Sequence, residues 1–467
     1  MLQFVNVCTN KVNPPPDDDM GEGDSPGNQV ELGIESVRHG TAMEDMSGEP
    51  PSYMDDYKLP VHREKRLEKM FKHPRDANIA FYEKPHIYTI NGKFIDASVS
   101  GLIRAYAEDF DPDKIIQKMV DSKREAWPRL KYCIGTIKLS DIPLDGNVAV
   151  IGKNDVTVYS GSVSELSTKY TTSEVYSFFS YDRGMTPNEI KKSWDSPEAR
   201  NRGTEAHYMM ELWMNSEPCR LSQPEVAGGL EFVKNQLMPN NIKAYRTEWE
   251  IYGEEENIAG SVDFVGSFPD GSLVIVDWKR SNKLNTHMID HWNKKLQWPF
   301  THLDDCDGAK YAIQLSTYAW IIEKYYGKTV KALVLCSLHP DLPFHTWIPY
   351  LRDEVEVLMK KCRERFSCKL TLESLNTTLP RCVLTGNIAF DAVRLPDGKI
   401  CSERAILIKD DETIQYAIDY DTRSQCKQEL LNVSIAESCK ETRNLQMSAV
   451  SWKKRMPSSG IQDIFFN

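Results

Sequence analysis

The sequence predicts an α/β protein organised around a strand hairpin. Three observations carry that class. Residues 257–280, NIAGSVDFVGSFPDGSLVIVDWKR, read as two apolar strands joined by a turn at Pro269-Asp270-Gly271-Ser272. Ahead of them lie a helical stretch, ARNRGTEAHYMMELWMNS, and a strand, YRTEWEIYG. Behind them an amphipathic helix, AKYAIQLSTYAWIIEKYYG, leads into another apolar strand, TVKALVLCSLHP. Strands separated by helices of this length build a sheet with helices packed on it.

The elements follow in chain order. Residues 1–58 are rich in Pro, Gly, Asp, Glu and Ser and read as a disordered acidic tail. The basic segment VHREKRLEKMFKHPRD has a helical pattern. Next, IAFYEKPHIYTINGKFIDASVSGLI reads as a hairpin turned at Asn91-Gly92, then a helix capped at Ser98 or Ser100. A helix starts after Asp111 or Asp113. Residues 130–180 alternate short β-like runs with Gly, Asp and Ser turns, as a β-rich insert would. Helices open at Thr186-Pro187 and Ser196-Pro197, because proline is tolerated at a first helical position. The polar, aromatic run from Ser281 to Lys310 reads as a loop beside the hairpin, and DEVEVLMKKCRERF as a helix. Residues 371–433 hold β-like runs, GNIAFDAVRL and ERAILIKD, around a turn at Pro396-Asp397-Gly398. Residues 434–467 read as a polar tail.

Charge is unevenly placed. Twelve acids face three bases in residues 1–60, so −9 of the net charge of −11 lies there and −2 remains for the other residues. A basic groove for a polyanion is therefore allowed in the folded part. The eleven cysteines have no disulfide-like frame, and the N-terminus lacks the basic start and apolar core of a signal peptide. An intracellular protein with reduced thiols and no membrane segment is expected.

The hairpin carries charges that its strands should not tolerate. Asp277 and Lys279 are two apart and share a strand face, and Asp263 lies on the neighbouring strand. Burying an unpaired carboxylate is expensive. Two converging carboxylates make a site for a hard divalent cation, and a lysine beside them can orient a water or stabilise negative charge. Gly203, His207 and Glu211 recur every four residues along one helix face, with the glycine leaving room for close approach. Alone, a packed core histidine and a solvated glutamate are the simpler account of His207 and Glu211. Glu248 and Glu250 share a strand face, and Gln314 and Tyr318 a helix face.

Four motifs in this order resemble the RecB-like branch of the PD-(D/E)XK nuclease superfamily. Arg202-Gly203-Thr204-Glu205-Ala206-His207 is similar to its histidine helix, Gly260-Ser261-Val262-Asp263 to its G-x-x-D strand, Asp277-Trp278-Lys279 to its D-x-K strand, and Gln314-Leu315-Ser316-Thr317-Tyr318 to its Q-x-x-x-Y helix. The likeness spans residues 78–366. It implies a restriction-endonuclease-like core, a mixed sheet flanked by helices, over residues 59–370, with the β-rich insert and a small C-terminal extension added. It implies Mg²⁺ or Mn²⁺, one or two ions, on His207, Asp263, Asp277 and the Trp278 carbonyl. Asp263, Asp277 and Lys279 are then catalytic, and Lys279 beside cations has its pKa pushed down. Glu211, Glu248 and Glu250 are supporting ligands or neighbours of ligands, and Gln314 and Tyr318 position DNA. An iron–sulfur cluster is not expected, because Cys362, Cys368 and Cys382, with Cys133 or Cys219, lack a tight C-x-x-C. The expected activity is metal-dependent hydrolysis of DNA, by an exonuclease or a structure-selective enzyme. An endonuclease of a mobile element or virus, and a catalytically silent module that binds nucleic acid, stay open, as does single- versus double-strand preference.

Overall fold

Leu273, Val274, Ile275 and Val276 are each 0% exposed, and the layers are arranged to make that so. Each such side chain contributes about 1.5–3 kcal/mol on leaving water. A computed structural model describes residues 65–107, 111–121, 132–134, 137–138, 147–151, 157–162, 177–180, 183–194, 197–220, 223–289, 294–375, 377–411, 413–438 and 452–455. The acidic tail at 1–58 lies outside the described residues, as does much of 130–180 and of 434–467.

The chain divides into two compact units, one of residues 109–201 and one of the remainder. In chain order the larger unit contains α1 (Arg66–Met70), β1 (Ile79–Tyr82), β2 (Ile87–Ile90), β3 (Lys93–Phe94), β4 (Ala97–Ser98), α2 (Val99–Arg104), α3 (Pro197–Met214), α4 (Pro224–Phe232), β5 (Lys243–Gly253), β6 (Ile258–Ser267), β7 (Leu273–Lys279), α5 (Asp307–Tyr326), β8 (Val330–Ser337), β9 (His345–Trp347), α6 (Arg352–Ser374), β10 (Ala392–Arg394), β11 (Ile400–Ser402), α7 (Glu403–Leu407), β12 (Ala417–Ile418) and α8 (Tyr420–Ser438).

One mixed sheet of six strands runs β5-β6-β7-β8-β9, with β4 beside β6. β7 and β8 are parallel, as are β4 and β6, and the other pairs are antiparallel. Pleat alternation sends β7 to two cores. Leu273 and Ile275 pack with residues of α5 and α6, such as Leu315 and Val355. Val274, Val276 and Trp278 pack on the opposite face with Met210 of α3 and Phe232 of α4. Helices therefore cover both faces of the sheet, and the expected α/β class holds at that level.

Local signals explain most boundaries. The turn at Asn91-Gly92 has φ of 50° and 72°, and Lys93 pairs back with Ile90. Ser98 caps α2 by accepting from the Gly101 N–H at 3.1 Å. Gly271, at φ 82°, closes the hairpin turn, where the Ser272 N–H donates to Asp270 Oδ1 at 2.9 Å. Gly327, at φ 64°, ends α5.

Two expectations are corrected. VHREKRLEKMFKHPRD is not one helix, because α1 stops at Met70 and a separate 3₁₀ turn, Pro74–Asn78, begins at Pro74. His73 and Asp76 cap that turn reciprocally, which satisfies the N–H groups a longer helix would have used. ERAILIKD contains the short helix α7 rather than a strand. The Asp391 carboxylate accepts from the Arg404 N–H at 3.0 Å, which anchors the first turn.

The smaller unit holds helices Pro112–Asp121 and Pro187–Trp194, a two-stranded antiparallel ribbon and a four-stranded antiparallel sheet. Asp111 starts the first helix by accepting from the Lys114 N–H at 3.0 Å. Ile116, Tyr132 and Ile190 are its buried centre.

Within the larger unit, β10, β11 and β12 form a three-stranded sheet over Ala389, Val393 and Cys401. Trp452 is 0% exposed and its indole N–H donates to the Met288 carbonyl at 2.8 Å. Among the described residues, no helix is long and apolar enough to cross a membrane.

Candidate metal centre

The antiparallel register aligns the acids. Thr247 pairs with Phe264 and Trp249 with Val262, which sets Glu248 opposite Asp263. Phe264 pairs with Val276, which sets Asp263 opposite Asp277. Three adjacent strands thus bring three carboxylates to one level of the sheet. α3 adds His207, whose Nδ1 lies 3.6 Å from Asp263 Oδ2. One ligand atom each from His207, Glu248 and Asp263 lies within 4.8 Å of the others. A nitrogen and two carboxylate oxygens suit Mn²⁺, or Mg²⁺ that keeps several waters.

These residues face a cavity of about 790 Å³. α1, the β1–β2 hairpin, α3, β5, β6 and α5 all contribute to its walls. Seven carboxylates line it (Glu68, Asp76, Glu83, Glu211, Glu248, Glu250 and Asp263) against the cations Lys65 and Arg246. Both cations are paired, Lys65 with Glu211 and Arg246 with Asp76. The remaining carboxylates repel one another, and a bound divalent ion would relieve that repulsion.

Each shift has a cause. Burial, then Asp263 and Glu211, pushes the Glu248 carboxyl up to about 8, although the Ser261 hydroxyl donates to it at 3.0 Å. Burial raises Asp263, opposed by Lys279 and by the Trp278 N–H, which donates to its Oδ2 at 2.8 Å. Burial lifts Glu250 to about 7. Burial and Lys279 pull His207 down to about 4, so its ring is neutral at pH 7 with a lone pair to offer. Glu248 also sits at φ 41°, left-handed backbone for a residue with a side chain. That costs on the order of 1–2 kcal/mol, and strain of this kind collects at functional sites.

Asp277 and Lys279 stand beside this group without lining the cavity. They continue the β7 row of Leu273 and Ile275, on the face covered by α5. Lys279 Nζ lies 2.5 Å from Asp277 Oδ2 and 5.2 Å from the centre of the Tyr311 ring. Burial raises Asp277 to about 6, against the opposition of Lys279 and with the Asp263 carboxylate adding to the rise. Burial alone would lower Lys279, but Asp277 and Asp263 outweigh it and hold the ammonium above its usual range. The depression expected of Lys279 applies beside bound cations; here its charged neighbours are the two carboxylates.

The remaining candidates are placed as follows. Gly203, His207 and Glu211 share one α3 face on the cavity. A Cβ at Gly203 would meet Arg280 at an ordinary 3.6 Å, so no close approach depends on that glycine. Gly260 is the glycine that space requires, since a Cβ there would lie 2.7 Å from Tyr318 Cε1. Gln314 Nε2 donates to the Tyr318 hydroxyl at 3.1 Å, and both residues line the cavity. The Trp278 indole is buried between Phe232 and Phe264, and its main chain hydrogen-bonds the His207 ring. Glu248, ranked below Asp277 as a ligand from sequence, is the residue that joins His207 and Asp263. Its two-residue spacing from Glu250 was visible, but its pairing opposite Asp263 was not.

No family model matches the chain, and no curated protein does. Among solved structures, the crystal structure of SSO0001 aligns at 16% identity over 41% of this chain and 91% of that chain. Its TM-score is 0.17, which supports no statement about fold or function.

Proposed function

We propose that the chain is a divalent-metal-dependent deoxyribonuclease, an exonuclease or structure-selective enzyme, on a restriction-endonuclease-like core with a β-rich insert at residues 130–180. One observation carries this reading: His207, Glu248 and Asp263 gather their ligand atoms within 4.8 Å, beside the Asp277–Lys279 pair. A divalent ion held by these side chains supplies a Lewis acid and a water acidic enough to ionise near neutral pH.

The chain's own groups have separable tasks. His207 is neutral and binds through a ring nitrogen, while its hydrogen bond to the Trp278 main chain orients the ring. Asp263 accepts from the Trp278 N–H, which orients its carboxylate. Lys279, a cation among carboxylates, offers an ammonium to a phosphate oxygen or to the attacking water. The Gln314–Tyr318 pair and the glycine beneath it hold the opposite wall in place.

The test is incubation of end-labelled DNA and RNA with Mg²⁺, Mn²⁺ or EDTA, for the natural chain, Asp277→Asn and Lys279→Ala. Cleavage of DNA that needs metal and falls on the order of 10²–10³-fold in each variant is expected, as for loss of a group worth several kcal/mol in the transition state. Equal cleavage by all three proteins rejects the assignment.

A further inference from the structure

The cavity has a second wall with a different chemistry. It is made by the β1–β2 hairpin, through Phe81, His86 and Tyr88. The Phe81 ring stacks on Tyr88 with centroids 4.4 Å apart and planes 26° apart. The His86 ring stands edge-on to Phe81 at 5.0 Å and 90°. Tyr88 is 3% exposed and packs with Ile79, Ile90 and Tyr252, so it anchors the stack. Phe81 is half-buried and His86 exposed, which leaves ring surface for the cavity. His86 sits at φ 53° at the hairpin turn, where its N–H donates to the Glu83 carbonyl at 2.9 Å.

The stack adjoins the carboxylates. The Tyr88 hydroxyl feels Glu250, Glu248 and Asp263 and hydrogen-bonds the Ser261 main chain. An aromatic platform next to a cation site matches the two ends of a nucleotide, a flat base and a phosphate. Carboxylates outnumber the two cations Lys65 and Arg246 along the cavity, so a phosphate is best received at the ion site. Burial, then Arg104, lowers His86, so its ring adds a neutral stacking face rather than a charge. A base exposes its ring face only when unpaired, and any of the bases can use such a platform.

We propose that Phe81, braced by Tyr88 and flanked by His86, is a base-stacking platform, and that the substrate enters as an unpaired strand with one phosphate at the His207–Glu248–Asp263 site. This rests on the nuclease reading and narrows its substrate to single-stranded DNA or a frayed end.

The test uses the full chain with Asp277→Asn to suppress turnover. The probes are labelled dT20, the same strand in duplex form, and dT20 with one abasic site moved along it, read by fluorescence anisotropy. The platform predicts tighter binding of the single strand than of the duplex. Phe81→Ala weakens single-strand binding about tenfold, within the range for one stacked base. Phe81→Trp retains binding. One abasic position costs the Phe81 protein about as much, and costs the Phe81→Ala protein nothing further. Mn²⁺ titration by calorimetry checks that the site survives in each variant.

Metal-dependent cleavage in which Phe81→Ala and every abasic position leave binding unchanged overturns the platform and leaves the nuclease reading standing. Equal loss of single-strand and duplex binding does the same. Absence of both binding and cleavage by the natural chain, with Mn²⁺ still bound, overturns the two together.

Discussion

Two buried acids, Glu354 and Asp263, show how the same chemistry serves different ends. Glu354, on α6, is 0% exposed. His302 Nε2 lies 2.8 Å from its Oε1 and Arg455 Nη1 2.7 Å from the same atom. Its charge is matched on the spot, and Arg455 belongs to the turn whose Trp452 is buried in the same core. Asp263 also has a histidine beside it, but its other near neighbours include the carboxylates Glu248 and Asp277. One place answers buried charge with a protein cation, Arg455, and a histidine. The other keeps an excess of carboxylates around a cavity. An excess of that kind is expensive, and it makes sense where a cation from outside completes it.

The largest test of this contrast removes each acid in turn. Glu354→Ala leaves His302 and Arg455 without their shared partner, and breaking a buried pair costs about 3–5 kcal/mol. Thermal unfolding should shift down by several degrees while Mn²⁺ affinity is unchanged. Asp263→Asn should do the reverse. It removes one of several repelling charges, so the metal-free protein should unfold no earlier than the natural one. Mn²⁺ affinity should fall by more than about 100-fold, beyond the loss typical for a neighbour of a ligand. Calorimetry and circular dichroism on the two variants separate the roles. A destabilised Asp263→Asn that binds Mn²⁺ normally would place Asp263 in the structural class with Glu354.

A middle-sized effect is expected at Gly260. A Cβ there would sit 2.7 Å from Tyr318 Cε1, and Tyr318 is buried in the core as well as on the cavity. Gly260→Ala should cost about 1–3 kcal/mol by overpacking. The double variant Gly260→Ala with Tyr318→Ala should recover part of what each loses alone, because the clash is then gone. Additive losses would show that the glycine answers to something other than Tyr318.

How far the site was legible follows from the kind of information each residue needed. Asp263, Asp277 and Lys279 stood out because charge on apolar strands is improbable, and that is a local property. His207 shares a four-residue spacing with Gly203 and Glu211, but that alone favours a packed histidine, and only the resemblance of its helix motif made it a candidate ligand. Glu248 needed more than spacing, since its place depends on the register of β5 against β6 and on a left-handed backbone at a glutamate. Neither is written in the run YRTEWEIYG. The surroundings of Lys279 also needed the structure, because the two acids that act on it, Asp277 and Asp263, come from its own strand and the next one. The α/β layering was legible from strand and helix alternation. The Phe81–Tyr88 stack was not, because its hairpin reads as ordinary β structure until it is seen against the cavity.

The smallest predicted effect is a pH slope, and it sharpens the contrast without any catalytic assay. In the folded chain Glu248 titrates at about 8, against an ordinary 4.5. Between those values the folded state holds a proton that the unfolded chain has lost, so metal-free stability falls as pH rises. Glu250, at about 7, and Asp277, at about 6, add slopes of the same sign at lower pH. His207 works the other way, because its folded value of about 4 lies below 6.5, so its contribution rises with pH between those limits. The opposing slopes overlap below pH 6.5. Above 6.5 His207 is silent, and from about 7, where Glu250 has ionised, to 8 Glu248 dominates. Unfolding temperature in EDTA should therefore decline across that interval, by no more than about 1 kcal/mol in stability once partial exposure of the group is allowed for. Glu248→Gln should flatten the decline. With saturating Mn²⁺ the trend should invert, because the ion takes the ionised carboxylate and binds better as the proton leaves. Glu354 is held by His302 and Arg455 and does not line the cavity, so Glu354→Gln serves as the control that should leave the slope as it is. A slope that survives Glu248→Gln would mean that the excess charge is distributed over the cavity rather than centred on the residue that joins His207 to Asp263.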